Sequence, residues 1–235
     1  VINADSGDEI SVAAGTYVEV GQIVIDKSLT ITGADKITTI IKPATDMTDW
    51  FVVNSGVTFN LSKVELNGTG RVITRAMSFK GNGIVNDCHF TQIKGADKYA
   101  YGTAVQVENA ADVDITNCLF DQIGRNGIRH SGIGNVSGNT YTGKGAGDWL
   151  DYFILAEYGS DITIDGNTVT NCLGEATFDG STSSAIAVWD DLNTKAIITN
   201  NILTDNTTGI GFAGVNSTDP NYPWPQATIG SGNII

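Results

Sequence analysis

The sequence predicts an all-β chain, a right-handed single-stranded parallel β-helix of about 8–9 stacked coils. Three observations predict it. A phrase built on one small polar residue recurs through the chain: NDCHF at Cys88, TNCLF at Cys118, SGNTY at Asn139, DGNTV at Asn167, NNILT at Asn201 and SGNII at Asn233, with Ser62 in LSKVEL as a weaker earlier member. Apolar residues stand at fixed offsets from each anchor. The spacing between anchors from Cys88 onward runs from 21 to 34 residues, the length of one coil with loops of variable size.

The elements follow in order around a coil. Three residues before the anchors stand Phe59, Val85, Ile115, Val136, Ile164 and Ile198, and two residues after them Val64, Phe90, Phe120, Tyr141, Val169, Leu203 and Ile235. A strand upstream of the first set alternates apolar residues, as in Met77 and Phe79, Val105 and Val107, Ile154 and Ala156, Ile186 and Val188, and Ile210 and Phe212. Period-two alternation in short runs punctuated by Gly and Asn marks strands with one buried face. Stacked coils bring equivalent residues to about 4.8 Å, so the aliphatic columns fill an interior and an Asn column can bond amide to amide. Asn also tolerates the left-handed backbone of a tight bend. Simple hairpin turns at the N-G and G-N pairs are the alternative, but hairpins would not keep three columns in register.

Composition sets the outer limits. The chain has 235 residues, 41% of them hydrophobic and 17% charged, with 28 Gly and 4 Pro. That is enough ordered apolar content to exclude disorder, and residues 1–235 read as one solenoid domain. With 13 Lys and Arg against 26 Asp and Glu, the net charge is −13, which offers no basic footprint for nucleic acid. No apolar run is long enough to span a membrane, and no signal peptide is present. An acidic, Thr- and Asn-rich surface suits an extracellular or cell-surface protein. Three Cys make no disulfide framework, and no cluster predicts zinc.

The opening phrases, GDEISVAAGTYVE over residues 7–19 and IDKSLTITGAD over residues 25–35, resemble the first coils of pectin methylesterases, and nearly the whole chain is similar to parallel β-helix repeat proteins of the pectate lyase-like superfamily. The resemblance implies the fold. It also implies a polysaccharide partner lying along the outer face of one sheet. The fold hosts many functions, so function rests on the site. The Gln, paired Asp and Arg-Trp motifs of pectin methylesterases are not matched. Asp190-Asp191 and Arg129-His130 stand without the companion motifs of polygalacturonases.

Taking the strand with Val105 and Val107 as that sheet, the outward positions form two columns. One reads Ser78, Gln106, Arg129, Leu155, Ala187 and Gly211; the other reads Lys80, Glu108, Ser131, Glu157, Trp189 and Ala213. Tyr158, Asp190 and Asp191 sit at the rim. Arg129, Glu157, Glu108 and His130 are the candidate catalytic residues. Lys80, Gln106, Trp189, Tyr158 and Asp190 are the candidate substrate-binding residues. Trp and Tyr stack on pyranose faces, and Arg and Lys pair with uronate carboxylates. Glu108 and Glu157, two coils apart, are separated by about 9.6 Å at the backbone, near the spacing of about 6.5–9.5 Å for an inverting hydrolase. The opposing reading is a solvated sheet face laced by cross-strand ion pairs. His130 falls at a nominally inward position, either as a buried structural imidazole or, if the strand bends outward near Gly132, as a general acid or base.

Several features stay open at this level. Cys88 and Cys118 share a ladder position, so their Cα atoms lie within disulfide reach, but side chains in register suit stacked thiols equally. Asp148, Asp151, Asp190 and Asp191 offer oxygen ligands of the type Ca2+ takes, without the spacing of one calcium loop, and no metal ligands are assigned. Five Asn-x-Ser/Thr triplets begin at Asn60, Asn67, Asn135, Asn206 and Asn216, a number that composition alone explains. Loops bearing Tyr99 and Tyr101, Trp149 and Tyr152, and Tyr222 and Trp224 would wall the groove if they leave on one side. Neither end carries a capping helix in the sequence. The expectation is that this is a piece of a longer protein or that its ends meet other subunits, including end-to-end stacking. Two functions follow: a module that binds or processes polysaccharide, uronate-containing polymers included, as a lyase, hydrolase or epimerase if it is an enzyme; or a non-catalytic structural or adhesive surface protein.

Overall fold

The computed structural model describes residues 2–97, 102–189, 193–213 and 226–235. Every regular element among them is a β-strand. The strands form three parallel sheets of nine, eight and eight strands, and each sheet takes every third strand of the chain. That order is a parallel β-helix. Eight stacked strands are joined by seven turns of chain, so the solenoid completes about seven turns where the repeat predicts 8–9 coils. The ninth strand of the first sheet, Gln226–Ile229, begins a coil that does not close among the described residues.

The first sheet runs from Glu9–Val12 to Gln226–Ile229, the second from Gly15–Glu19 to Ile202–Leu203, and the third from Ile23–Ile25 to Ile210–Ala213. Inward side chains stack one coil above the next. In the second sheet Leu66, Phe90, Phe120, Tyr141, Val169 and Leu203 form one column. The Phe90 and Phe120 rings lie 5.1 Å apart and 7° from parallel, close to the strand spacing, so the backbone register itself sets the ring stack.

The anchor column is the joint between the first and second sheets. The Asn139 amide donates to Asn167 Oδ1 at 2.9 Å, Asn167 to Asn201 Oδ1 at 2.9 Å, and Asn201 to Asn233 Oδ1 at 3.1 Å. Each Oδ1 also accepts the backbone N–H of the preceding anchor, as Asn167 Oδ1 does from Asn139 N at 3.0 Å. Buried backbone groups that no strand satisfies are thereby paired. The thiols continue this pattern. Cys88 N donates to Cys118 Sγ at 3.4 Å, and Cys118 Sγ faces the Val85 carbonyl at 3.6 Å as Asn139 Nδ2 faces Ile115 O at 2.9 Å. Cys88, Cys118 and Cys172 are free and buried, so the structure holds stacked thiols and no disulfide.

One sequence assignment shifts. Ser62 lies opposite Asn86, and Glu65 opposite His89, which puts Val64 in the anchor column and Leu66 in the apolar column. The residue before each anchor explains the slip: Lys63, Asp87, Asn117 and Asn200 have φ of 57°, 54°, 56° and 55°, and Gly138 and Gly166 have 65° and 64°. Left-handed backbone is the constant feature, and Lys63 carries it without Asn or Gly chemistry.

At the first coil the interior opens as a hollow of about 790 Å³ lined by residues including Ile10, Val12, Ile23, Ile31, Ile41 and Phe51. No helix among the described residues is long and apolar enough to cross a membrane.

Candidate functional site

The outer face of the third sheet carries both expected columns in register. Ser78, Gln106, Arg129, Leu155, Ala187 and Gly211 are successive partners. The ladder continues past the strand ends through Lys80 N to Val53 O at 2.9 Å, Glu108 N to Phe79 O at 2.9 Å, Ser131 N to Val107 O at 2.8 Å and Glu157 N to His130 O at 3.0 Å. Lys80, Glu108, Ser131 and Glu157 therefore stack as the second column.

The charges on this face are paired. Arg129 Nε bonds Glu157 Oε1, with the Glu157 side chain 5% exposed and that of Arg129 23%. The Arg129 guanidinium also lies over the Tyr158 ring, 5.9 Å from its centroid. Gln106 Nε2 donates to Glu108 Oε1 at 2.8 Å. A further pair, absent from the sequence-derived set, stands beside them. Arg75 grips Asp49 through Nε–Oδ1 at 2.5 Å and Nη2–Oδ2 at 2.7 Å, and Ser78 Oγ donates to the same Oδ1 at 2.6 Å. Burial alone would raise the Asp49 carboxyl, but the Arg75 and Ser78 hydrogen bonds and the Arg75 and Lys80 charges outweigh it and hold it below its usual value.

Next to these pairs, toward the last coils, lies a groove of about 530 Å³, within the range of about 300–1,000 Å³ of ligand pockets. Its floor is made of small residues from successive strands, Ser184, Ala187, Gly211 and Ala213, with Trp189, Tyr152 and Phe178 among its lining. Trp189 is 37% exposed and Phe178 68%. Phe178 sits in a small turn between the Glu175–Thr182 bridge residues, closed by Gly180 N to Ala176 O at 2.8 Å and Ser181 N to Asp179 Oδ1 at 2.9 Å. Asp148 Oδ1 ties this turn down by accepting from Thr177 N and Oγ1, both at 2.9 Å, and Tyr152 Oη donates to Thr182 O at 3.3 Å. Arg125 lines the groove with its guanidinium 6.0 Å from the Tyr152 ring centroid, hydrogen-bonded to the phenol.

The structure thus brings Lys80, Gln106, Glu108, Arg129, Glu157, Tyr158 and Trp189 to one face. It does not bring His130 there. That imidazole is fully buried, and its Nδ1 accepts Gly132 N at 3.2 Å. Burial pushes its pKa down to about 4, so it is neutral at ordinary pH, and the strand does not turn outward at this residue. Asp190 and Asp191 lie outside the described residues, as do Tyr99, Tyr101, Tyr222 and Trp224. Of the loop aromatics, Tyr152 lines the groove, whereas Trp149 packs on Gly147 and Gly174 with Nε1 donating to Gly145 O at 3.1 Å. Asp151 is buried: Tyr141 Oη donates to it, as does Lys144 N at 2.6 Å. Asp148 and Asp151 thus anchor chain segments.

The model of the NosD family, described as periplasmic copper-binding protein (NosD), matches residues 36–221. The chain belongs to the NosD family. No curated protein matches it. Among solved structures, this NosD-family chain is similar to the PL6 family alginate lyase AlyGC (TM-score 0.63, 13% identity, 99% of this chain and 37% of that one). It is also similar to the rice weevil pectin methyl esterase (TM-score 0.56, 13% identity, 96% and 81%) and to ORF18 of Geobacillus virus E2 (TM-score 0.53, 14% identity, 99% and 55%). The chain thus spans little more than a third of the alginate lyase. At these identities the likeness is one of fold.

The family description names copper, and the described residues of this NosD-family chain do not fit it. Among them no three or more His, Cys, Asp or Glu side chains gather to hold a metal ion. Both ring nitrogens of His89 are taken, Nδ1 by Glu65 Oε2 at 2.9 Å and Nε2 by Asp121 Oδ2 at 2.7 Å. His130 faces the interior. Burial drives the Cys88 and Cys172 thiols well above their ordinary pKa, away from the thiolate that a metal needs.

Proposed function

We propose that this chain is an extracellular or periplasmic module that binds polysaccharide along the outer face of its third sheet, with Arg129, Glu157 and Glu108 as the groups available for chemistry on it. One observation carries the reading: the groove beside the Arg129–Glu157 pair, floored by small residues and lined by Trp189, Tyr152 and Phe178. Aromatic faces beside a polar, hydrogen-bonded surface suit the alternating apolar and hydroxyl faces of sugar rings. A family description that says periplasmic, an acidic surface, and fold relatives named as an alginate lyase and a pectin methyl esterase support it. Affinity electrophoresis in gels containing soluble polysaccharides, run with Trp189→Ala as control, tests it: retardation by at least one polymer is expected, and no retardation by any removes the proposal.

A second reading has its own observation. Glu157 is buried against Arg129 and Glu108 receives Gln106, an arrangement that holds a surface together and leaves neither carboxylate bare for proton transfer. On this reading the module is a non-catalytic binding or adhesive element. Reducing-end and unsaturated-product assays on retained polymers separate the two. Turnover abolished by Glu157→Gln supports the enzyme, and retention without product supports the binder.

A further inference from the structure

We infer that the groove is built for a neutral glycan and discriminates against uronate polymers, an inference that rests on the proposed polysaccharide site and names its ligand class. Recognition of a uronate chain needs cations that can turn toward each carboxylate, ideally through a guanidinium fork. The guanidinium groups on this face are otherwise engaged. Arg125 is hydrogen-bonded to Tyr152 and lies against its ring. Arg129 is held by Glu157 and covered by Tyr158. Further along the face, Arg75 is gripped at two points by Asp49. Turning any of them to a uronate strips its present partner, and for Arg129 that leaves the buried Glu157 carboxylate uncompensated.

The lining adds a repulsive element. Asp179, on the turn that carries Phe178, lines the groove directly, close enough to raise the Tyr152 phenol's pKa along with its burial. A uronate carboxylate entering there meets a like charge in a half-enclosed space, within a chain of net charge −13. The rest of the lining is aromatic and hydroxyl: Trp189, Phe178 and Phe212 with Ser181, Thr182 and Thr208. These stack on the apolar faces of neutral pyranoses and bond their hydroxyls. The floor is kept low by residue size. A Cβ added at Gly211 would stand 2.8 Å from Ser184 Oγ, so even an alanine there requires the Ser184 hydroxyl to turn away. The three strands that contribute lining residues, Tyr152–Ala156, Ser184–Trp189 and Ile210–Ala213, span about 10 Å at strand spacing, a path for a short stretch of glycan.

Isothermal titration calorimetry of the whole chain tests this with cellohexaose, mannohexaose and xylohexaose as neutral probes, and hexagalacturonate and hexaguluronate as charged ones, each in low and in 0.3 M salt. At least one neutral hexasaccharide is expected to bind at least about 10-fold more tightly than either hexauronate. Its affinity should be unchanged by salt and should fall at least about 10-fold in both Trp189→Ala and Phe178→Ala. Asp179→Asn should raise hexauronate affinity relative to that of the neutral probes. Hexauronate binding tighter than every neutral probe, lost in Trp189→Ala, overturns the neutral class while the groove stands. No binding of any probe overturns the polysaccharide site and this inference with it.

Discussion

At the residue scale the two histidines have opposite environments, and they bracket the stability of the fold. His89 joins three coils by facing Glu65 and Asp121 at once. Burial alone would lower its pKa, but the Asp121 hydrogen bond and the charges of Asp121 and Glu65 outweigh burial and raise it. A raised histidine pKa contributes stability that is complete below the unfolded value of about 6.5 and is lost as pH rises through the folded one. His130, depressed to about 4, does the reverse: its contribution is present above about 6.5 and disappears as pH falls toward 4. Urea midpoints measured against pH should therefore be greatest near neutrality. His89→Gln should flatten the alkaline fall, and two separate histidine titrations should appear by NMR in the unsubstituted chain; an unchanged alkaline limb in the variant would refute this account. The Arg129–Glu157 pair makes a second residue-scale prediction. Arg129→Met leaves a buried carboxylate alone and is expected to cost about 3–5 kcal/mol, whereas the double change Arg129→Met with Glu157→Leu should recover most of it in urea unfolding.

At the element scale the anchor ladder sets the joint between two sheets, and its strength is in buried polar pairing. Asn167 receives Asn139 N and Nδ2 and donates to Val136 O and Asn201 Oδ1. Asn167→Ala orphans at least two buried donors, at about 1–3 kcal/mol each, and should lower stability by roughly 3–5 kcal/mol in thermal or urea unfolding. Cys118→Ala removes weak sulfur contacts, from Cys88 N and to the Val85 and Thr116 carbonyls, and a small apolar volume, so it should cost about half as much or less; equal losses would show that the ladder's amides add nothing beyond packing. This ladder was legible in the sequence because Asn and Gly recur there. The strand upstream was only half legible. Trp50 and Phe51, Ala76 and Met77, Ala104 and Val105, Phe153 and Ile154, and Ala185 and Ile186 are consecutive buried pairs at one bend, and the ladder skips the first of each pair, as Thr103 pairs with Asn126 and Val105 with Ile128. Two inward residues in a row shift the phase of the alternation. Counting back by two from Met77 sends Arg75 inward; the bend brings it out to Asp49, and likewise brings Tyr152 and Ser184 to the groove.

At the scale of the whole molecule, the coils supply a flat face and the departures from the repeat supply its relief. The turn bearing Phe178 has no counterpart in the first coils, and Asp148 from the preceding coil pins it through Thr177. Asp148→Ala should therefore loosen one side of the groove without unpacking the solenoid. Glycan retention in affinity gels is expected to weaken several-fold while the melting temperature moves by no more than about 2 °C; a large fall in melting temperature would place Asp148 in the core scaffold instead.

The sequence by itself determined the solenoid, its repeat, the buried columns and the two outward columns of the third sheet, because each rests on a short period that neighbouring coils copy at strand spacing. Only the tertiary structure decided how those outward charges spend their interactions. Whether Arg129 meets Glu157, whether His130 turns inward, and whether Phe178 and Trp189 share one groove depend on packing between coils, on an inserted turn and on a bend that breaks the period. Arg129 and Glu157 stand 28 positions apart, and neither that meeting nor the placing of the inserted turn is encoded in a local pattern.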